Sequence, residues 1–253
     1  MIPKRIHYCW LSGDPYPEAV QDCMESWHRL MPEFEFVLWD RQRIQEIDSL
    51  WLNECIESKK WAFAADYIRL YALYSQGGIY LDTDVMVYKS FIPLLKLDAF
   101  IGREWTWHTE RFLNQQYLTS HCMGAEAGNA FVGRSLNYYQ GRHFILQDDV
   151  SLPDNLRFNQ MLLPQIQCEL AAQMGYNANL HYDKKVISLP SVTVYPSSYF
   201  DPHKVVRDSF CRHLCMGGWI GECPEEKITW SYRIKYHLDL WLKQLITWVW
   251  HVL

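Results

Sequence analysis

The stretch Trp61-Ala-Phe-Ala-Ala-Asp66-Tyr-Ile-Arg69-Leu-Tyr-Ala-Leu-Tyr-Ser-Gln-Gly77-Gly78-Ile-Tyr-Leu-Asp82-Thr-Asp84 decides how this chain folds. Residues 61–76 read as a strong helix, and Gly77-Gly78 supplies its C-terminal stop. Ile79-Tyr80-Leu81 follows as a short apolar strand. Two carboxylates, Asp82 and Asp84, stand just past it. Ligands of α/β sheets gather beyond the carboxyl ends of the strands. Side chains two apart in extended chain share a face. Paired carboxylates there invite a hard divalent cation with oxygen ligands, Mg²⁺ or Mn²⁺, and such a cation holds a diphosphate. A D-x-D triplet alone recurs by chance in surface loops. Its place after an apolar strand and a Gly-Gly stop is what gives it weight here.

Asp66 and Arg69 lie three apart on the same helix. As an exposed ion pair they would contribute only about 0.2–0.5 kcal/mol. Their neighbours are mostly apolar or aromatic, so the charged heads are expected to be partly buried and to need partners. A site that binds phosphate and sugar hydroxyls provides such partners.

Working outward, the apolar pattern alternates between strand and helix. It predicts strands over 5–10 and 35–39, helices over 17–29 and 47–59, and, after Asp82-Thr83-Asp84, another strand through Tyr88. Pro17 suits a first-turn position. The β-α-β-α-α-β order predicts an α/β fold with a mostly parallel central sheet. Beyond residue 100 the pattern predicts helices over 130–139 and 156–174. It also predicts short strands near Phe100, near Met123, and over 186–189, 193–195 and 210–214. Residues 105–118 read as a loop or flap.

The chain has 253 residues, a length that suits one large α/β domain with a C-terminal appendage. With 49% hydrophobic and 21% charged residues it is neither disordered nor of low complexity. A net charge of −5 argues against nucleic acid as a partner. Twelve Trp and sixteen Tyr suit sugars, nucleobases or a membrane interface. The eight Cys include no C-x-x-C pair, and the cluster Cys211, His213, Cys215 and Cys223 lacks the short paired spacing of zinc sites. Reduced thiols in a core fit a cytosolic compartment. The N-terminus lacks the apolar run of a signal peptide. From Leu238 onward the chain is apolar but interrupted by Asp239 and Lys243, too short to span a bilayer. Trp241, Leu242, Leu245, Trp248, Val249 and Val252 fall at helical spacing. That stripe fits either an amphipathic helix in the headgroup layer or a helix docked on its own domain.

The run from Asp66 through Asp84 resembles the core motif of glycosyltransferase family 32. That family includes bacterial capsule and lipopolysaccharide sugar transferases and yeast Golgi mannosyltransferases, with the glucosylating domains of clostridial toxins as distant kin. Ile2-Pro3-Lys4-Arg5-Ile6-His7-Tyr8-Cys9-Trp10 resembles the family's first strand, and Ser26-Trp27 with Trp39-Asp40 its second α/β unit. His213-Leu-Cys-Met-Gly217-Gly218-Trp219 resembles its H-x-x-x-G-S-W signature, with Gly218 in place of Ser. Residues 105–205 and those after Glu226 are not anchored by the resemblance.

The resemblance implies a GT-A fold over 1–226; the apolar spacing of the tail, not the resemblance, predicts an amphipathic helix over 227–253. The resemblance also implies retaining transfer of a hexose, galactose or glucose first, from a UDP-sugar, and the apolar tail points to a glycan or lipid-linked acceptor. By position, Asp84 would ligate Mn²⁺ or Mg²⁺. Asp82 would contact the ribose or sugar and help hold the metal, and His213 would be the third ligand. Asp66 and Arg69 would hold sugar hydroxyls and the diphosphate. Trp10 would stack on uracil and Trp219 would touch the β-phosphate. With the tail at a membrane, the enzyme would work peripherally on its cytosolic face. Two other readings reuse the same residues: a metal-dependent nucleotide-sugar hydrolase, and an inactive carbohydrate-binding module.

Overall fold

The computed structural model describes residues 1–105, 117–178 and 184–216. Its pivot is the Gly77-Gly78 pair. Gly77 has φ +64° and Gly78 φ +125°. A Cβ on Gly77 would lie 2.8 Å from Ala127 N, and one on Gly78 2.8 Å from Arg5 O. Only glycine fits both places. Helix α3 (Trp61–Gln76) therefore ends and turns at once into β3 (Gly78–Leu81), every residue of which is buried.

Around β3 a seven-stranded sheet assembles in the order β2 (Glu35–Trp39), β1 (Arg5–Cys9), β3, β6 (Leu118–Ala125), β5 (Ala99–Arg103), β8 (Val192–Tyr195), β7 (Ile187–Leu189). β1 runs parallel to β2 and β3, and β5 parallel to β8. β6 and β7 are antiparallel to their neighbours. Five of the seven strands thus point one way, as the sequence pattern requires. Alternation along β3 divides the core between the two faces. Tyr80 packs with Trp51, Ile68, Leu73 and Phe131, whereas Ile79 and Leu81 pack with Trp27, Phe91, Phe100 and Phe200. This is the α/β architecture with a mostly parallel central sheet that the sequence pattern predicts.

Strand β4 (Val85–Val87) leaves the sheet and pairs antiparallel with β9 (Cys211–His213), Val85 opposite His213. Helix α1 (Glu18–Leu30) fastens this ribbon. Trp27 Nε1 donates to Val85 O at 2.7 Å, and Val87 N donates to Ser26 Oγ at 3.0 Å. That is the work of the Ser26-Trp27 dipeptide.

Two helices depart from what the periodicity predicts. The helix expected over 47–59 is α2 (Leu50–Glu57), because Ser49 caps it by accepting from Leu52 N. The helix expected over 156–174 is two. After α4 (Ala130–Asn137), a short α5 (Asp154–Arg157) ends at Phe158, which bridges to Ile145, and α6 (Leu163–Gln173) starts afresh with Pro164 in its first turn. The last described helix is α7 (Ser197–Phe200). The chain divides into compact units Met1–Cys215 and Met216–Leu253, and of the second only Met216 is among the described residues. The flap core at 106–116, Trp219 and the helix expected over 227–253 lie outside the described residues. Among the described residues no helix is long and apolar enough to cross a membrane.

His7 ties β1 to both neighbours. It accepts at Nδ1 from Trp39 Nε1 at 3.0 Å, and its Nε2 lies 2.9 Å from Gly77 O. Those partners fix a neutral ring with the proton on Nε2. Burial, partly offset by the Gly77 carbonyl, lowers its pKa from 6.5 to about 4. The native ring thus takes a proton only near pH 4, the unfolded one near 6.5, so this stabilisation is complete above 6.5 and lost as pH falls toward 4. His7→Gln should cost about 1–3 kcal/mol at pH 7 by urea unfolding. The gap to wild type should close between pH 6.5 and 4; a gap independent of pH would contradict this role.

Candidate active site

The carboxyl ends of β1, β3, β5 and β8 lie on one edge of the sheet. Trp10 follows β1, Asp82 follows β3, Glu104 follows β5, and Asp201 follows the short helix after β8. Helix α3 adds Asp66 and Arg69, both buried. The β4–β9 ribbon adds Asp84 and His213.

Arg69 is the hub. Its Nη2 lies 3.1 Å from Asp66 Oδ1 and 3.1 Å from Asp82 Oδ1. Its Nη1 lies 3.4 Å from Asp82 Oδ2 and donates to Ser120 O, and its Nε donates to Ala65 O at 3.3 Å. The guanidinium also sits 4.7 Å from the Tyr80 ring centroid. Burial opposes its charge, but Asp82, Tyr80 and Asp66 outweigh it and raise its pKa. Asp66 responds in the other direction. Burial lifts it from 3.8 to about 6, against the pull of Arg69 and a backbone bond from Leu163 N. The i,i+3 pair of the sequence is therefore a buried three-way clamp between helix and strand end.

Asp84 and His213 form the second contact. His213 Nε2 lies 3.0 Å from Asp84 Oδ1, and Leu214 N donates to Asp84 O at 3.0 Å. Burial would neutralise the His213 ring, yet Asp84 and the neighbouring Cys215 hold its pKa well above 6.5. His121 on β6 stacks on it with centroids 4.5 Å apart. Burial, then the His213 charge, lowers His121 to about 3, so one ring of the stack is charged and the other neutral.

The predicted residues fall as follows. Asp66, Arg69 and Asp82 come together, and so do Asp84 and His213. Asp82 turns to Arg69, and among the described residues no three His, Cys, Asp or Glu side chains are grouped to hold a metal ion. Trp10 sits beyond β1 with its ring 4.9 Å from Tyr16, and its Nε1 donates to Asp14 O at 2.7 Å. Trp219 lies outside the described residues. Sequence reasoning missed Glu104, His121 and Asp201. Burial raises Glu104 from 4.5 to about 8, with Asp201 adding to the rise and His213 opposing it. Asp201 Oδ2 accepts from Trp105 N at 2.8 Å. The strand-end rule that found Asp82 would have found Glu104 had it been applied to the strand at Phe100.

Five carboxyl groups (Asp66, Asp82, Asp84, Glu104 and Asp201) thus gather around one guanidinium and one charged imidazole. Carboxylates with a single imidazole nitrogen are the ligand types a hard divalent cation takes, although among the described residues no three of them are grouped to hold one. Removing the hub should expose the cost of this crowding. Arg69→Met should destabilise by about 3–5 kcal/mol in urea, because it leaves buried carboxylates uncompensated. Adding Asp82→Asn should recover part of that loss; strictly additive losses would contradict the clamp.

Residues 17–106 match the family model described as "Glycosyltransferase sugar-binding region containing DXD motif". Among curated proteins, the inositol phosphoceramide mannosyltransferase 3 of Schizosaccharomyces pombe is 35% identical over 135 residues, 52% of this chain and 35% of that one. The mannosyl phosphorylinositol ceramide synthase SUR1 of Saccharomyces cerevisiae is 30% identical over 110 residues, 41% of this chain and 28% of that one. The chain thus spans about a third of the length of these relatives. Among solved structures, the PaToxG glycosyltransferase is 17% identical, with 68% of this chain and 69% of that one covered at a TM-score of 0.46. A glycosyltransferase involved in glycosylation of the PBCV-1 major capsid is 10% identical, with 83% and 93% covered at 0.45. The matched segment contains the D-x-D triplet Asp82-Thr83-Asp84, and over residues 17–106 the chain is similar to glycosyltransferase sugar-binding regions of that description.

Proposed function

We propose that this chain transfers a hexose, with retention of configuration, from a nucleotide-activated donor to a lipid-linked or glycan acceptor, with a divalent cation bound at the end of β3. The observation that carries this reading is the excess of carboxyl groups around Asp82, Asp84 and His213, set beside the buried Arg69. Asp84 and His213, joined by Asp82, would hold Mn²⁺ or Mg²⁺. His213 would give up its proton on binding, as an imidazole ligand must. The cation, when bound, neutralises charge on a diphosphate leaving group.

The protein's own groups do the remainder. As the bond from the anomeric carbon to the phosphate oxygen breaks, negative charge builds on the diphosphate and positive charge on the sugar. Arg69 is positioned to stabilise the first change electrostatically. Asp66 would accept from sugar hydroxyls and Asp82 would contact ribose or sugar. Trp10 and Trp219 would bind base and β-phosphate. The acceptor would enter on the face of the leaving group, so no enzyme nucleophile is needed.

The resemblance favours UDP-galactose or UDP-glucose as donor, whereas the names of both curated relatives specify mannose. Mannose therefore joins the donors proposed here. The same names include a ceramide acceptor, which supports a lipid-linked acceptor. Residues 1–226 would form the catalytic domain, and 227–253 would dock it to the cytosolic face of a membrane.

Nucleotide release from a panel of UDP- and GDP-hexoses, with and without Mn²⁺, tests the reading. Slow turnover of one donor, dependent on Mn²⁺ and reduced at least about 10²-fold in Asp84→Ala, is the expected result. Turnover untouched by chelation and by Asp84→Ala would refute it, and fast release without acceptor would favour the hydrolase. Deleting residues after Trp230 should abolish vesicle co-sedimentation; unchanged partition would remove the membrane role of the tail.

A further inference from the structure

Arg103 is the last residue of β5 and precedes Glu104 in sequence. It is wholly buried. None of its three guanidinium nitrogens, Nε, Nη1 and Nη2, has a hydrogen-bond partner among the described residues. Its guanidinium lies 5.1 Å from the centroid of the Tyr176 ring. That contact offers a π face and no negative charge. Cys168 on α6 is pushed up to about 11 by burial first, with Glu169 and Glu104 adding to the rise and Arg103 opposing it, so the thiol stays protonated at neutral pH. Gln167, also on α6, donates to Met123 Sδ, and its Oε1 is likewise buried with no partner among the described residues.

A guanidinium cannot shed its proton to escape burial. Buried charges in folded proteins are paired, and each buried unsatisfied group calls for a physical explanation. The donor site does not supply one: Asp66 and Asp82 pair with Arg69 and Asp84 with His213, and among the described residues no ion pair joins a carboxylate to Arg103. A water molecule would satisfy a hydrogen bond but leave the charge unopposed.

We propose that Arg103 is the centre of an anion site between β5 and α6, which takes a small inorganic anion, halide or phosphate, into the planar fork of its guanidinium. The five N–H donors of that fork are matched to such a ligand. Because Arg103 and Glu104 are consecutive, the bound anion pins the strand end that carries Glu104 into the active site. The inference is independent of the donor and acceptor proposed above.

The test is thermal unfolding of the full chain in chloride, in phosphate, and in gluconate at matched ionic strength, for wild type and Arg103→Met. Wild type should gain about 5–10 °C in chloride or phosphate at a hundredfold excess over the dissociation constant, relative to gluconate. Arg103→Met should show no such gain, and in gluconate it should be at least as stable as wild type, since an uncompensated charge has been replaced by an apolar chain of similar length. A response to chloride alone or to phosphate alone identifies the anion. Equal responses in the two proteins, or a wild-type midpoint indifferent to anion identity, would overturn the proposal. Should the variant fail to fold, wild-type crystals grown in phosphate and crystals soaked in bromide decide the matter. Density for either anion against the Arg103 guanidinium supports the site, and its absence from both overturns it.

Discussion

The structure depends on one buried cation. Arg69 joins the middle of α3 to the end of β3 by holding Asp66 and Asp82 at 3.1 Å each. Neither carboxylate would be tolerated so close to the other without it, and Arg69 could not be buried without them. The Gly77-Gly78 turn makes this contact possible. It reverses the chain within two residues, so that a helix and the strand it feeds can present charged groups to the same point. The neighbouring strand β6 adds the Ser120 carbonyl. A helix, a strand end and a second strand are thereby locked together before any ligand arrives.

The second half of the site comes from elsewhere in the chain. Asp84 is two residues past Asp82, yet it belongs to the β4–β9 ribbon and reaches His213 across 129 positions of sequence. Helix α1 holds that ribbon through Ser26 and Trp27. The D-x-D triplet therefore straddles two structural parts. Its first carboxylate belongs to the clamp, and its second faces a protonated imidazole that a metal could displace from its proton. This division gives a physical reason for two carboxylates with different work despite identical chemistry.

Much of this was legible in the sequence. The Gly-Gly stop, the apolar strand and the paired carboxylates are local, and each follows from short-range rules. Asp66 and Arg69 were legible as buried because their neighbours are apolar. What escaped were features fixed by contacts far apart in the chain. The break at 158–162 depends on Phe158 bridging to Ile145, although Pro164 did mark the restart of the helix. The late start of α2 depends on the Ser49 cap, a local signal that periodicity overrode. Glu104, His121 and Asp201 sit on strands and turns whose order in the sheet departs from their order in the chain, so their convergence cannot be read along the sequence. The separation of Asp82 from Asp84 was equally hidden, since extended chain places both on one face.

The most direct measurement of the central claim is Mn²⁺ binding followed by electron paramagnetic resonance, with and without UDP or GDP. The strand-end site should bind one Mn²⁺ per chain more tightly when the matching nucleoside diphosphate is present, and Asp84→Ala should lose that binding while unfolding at nearly the wild-type midpoint. Binding that is equal in wild type, Asp84→Ala and His213→Ala, with no help from either nucleotide, would contradict it.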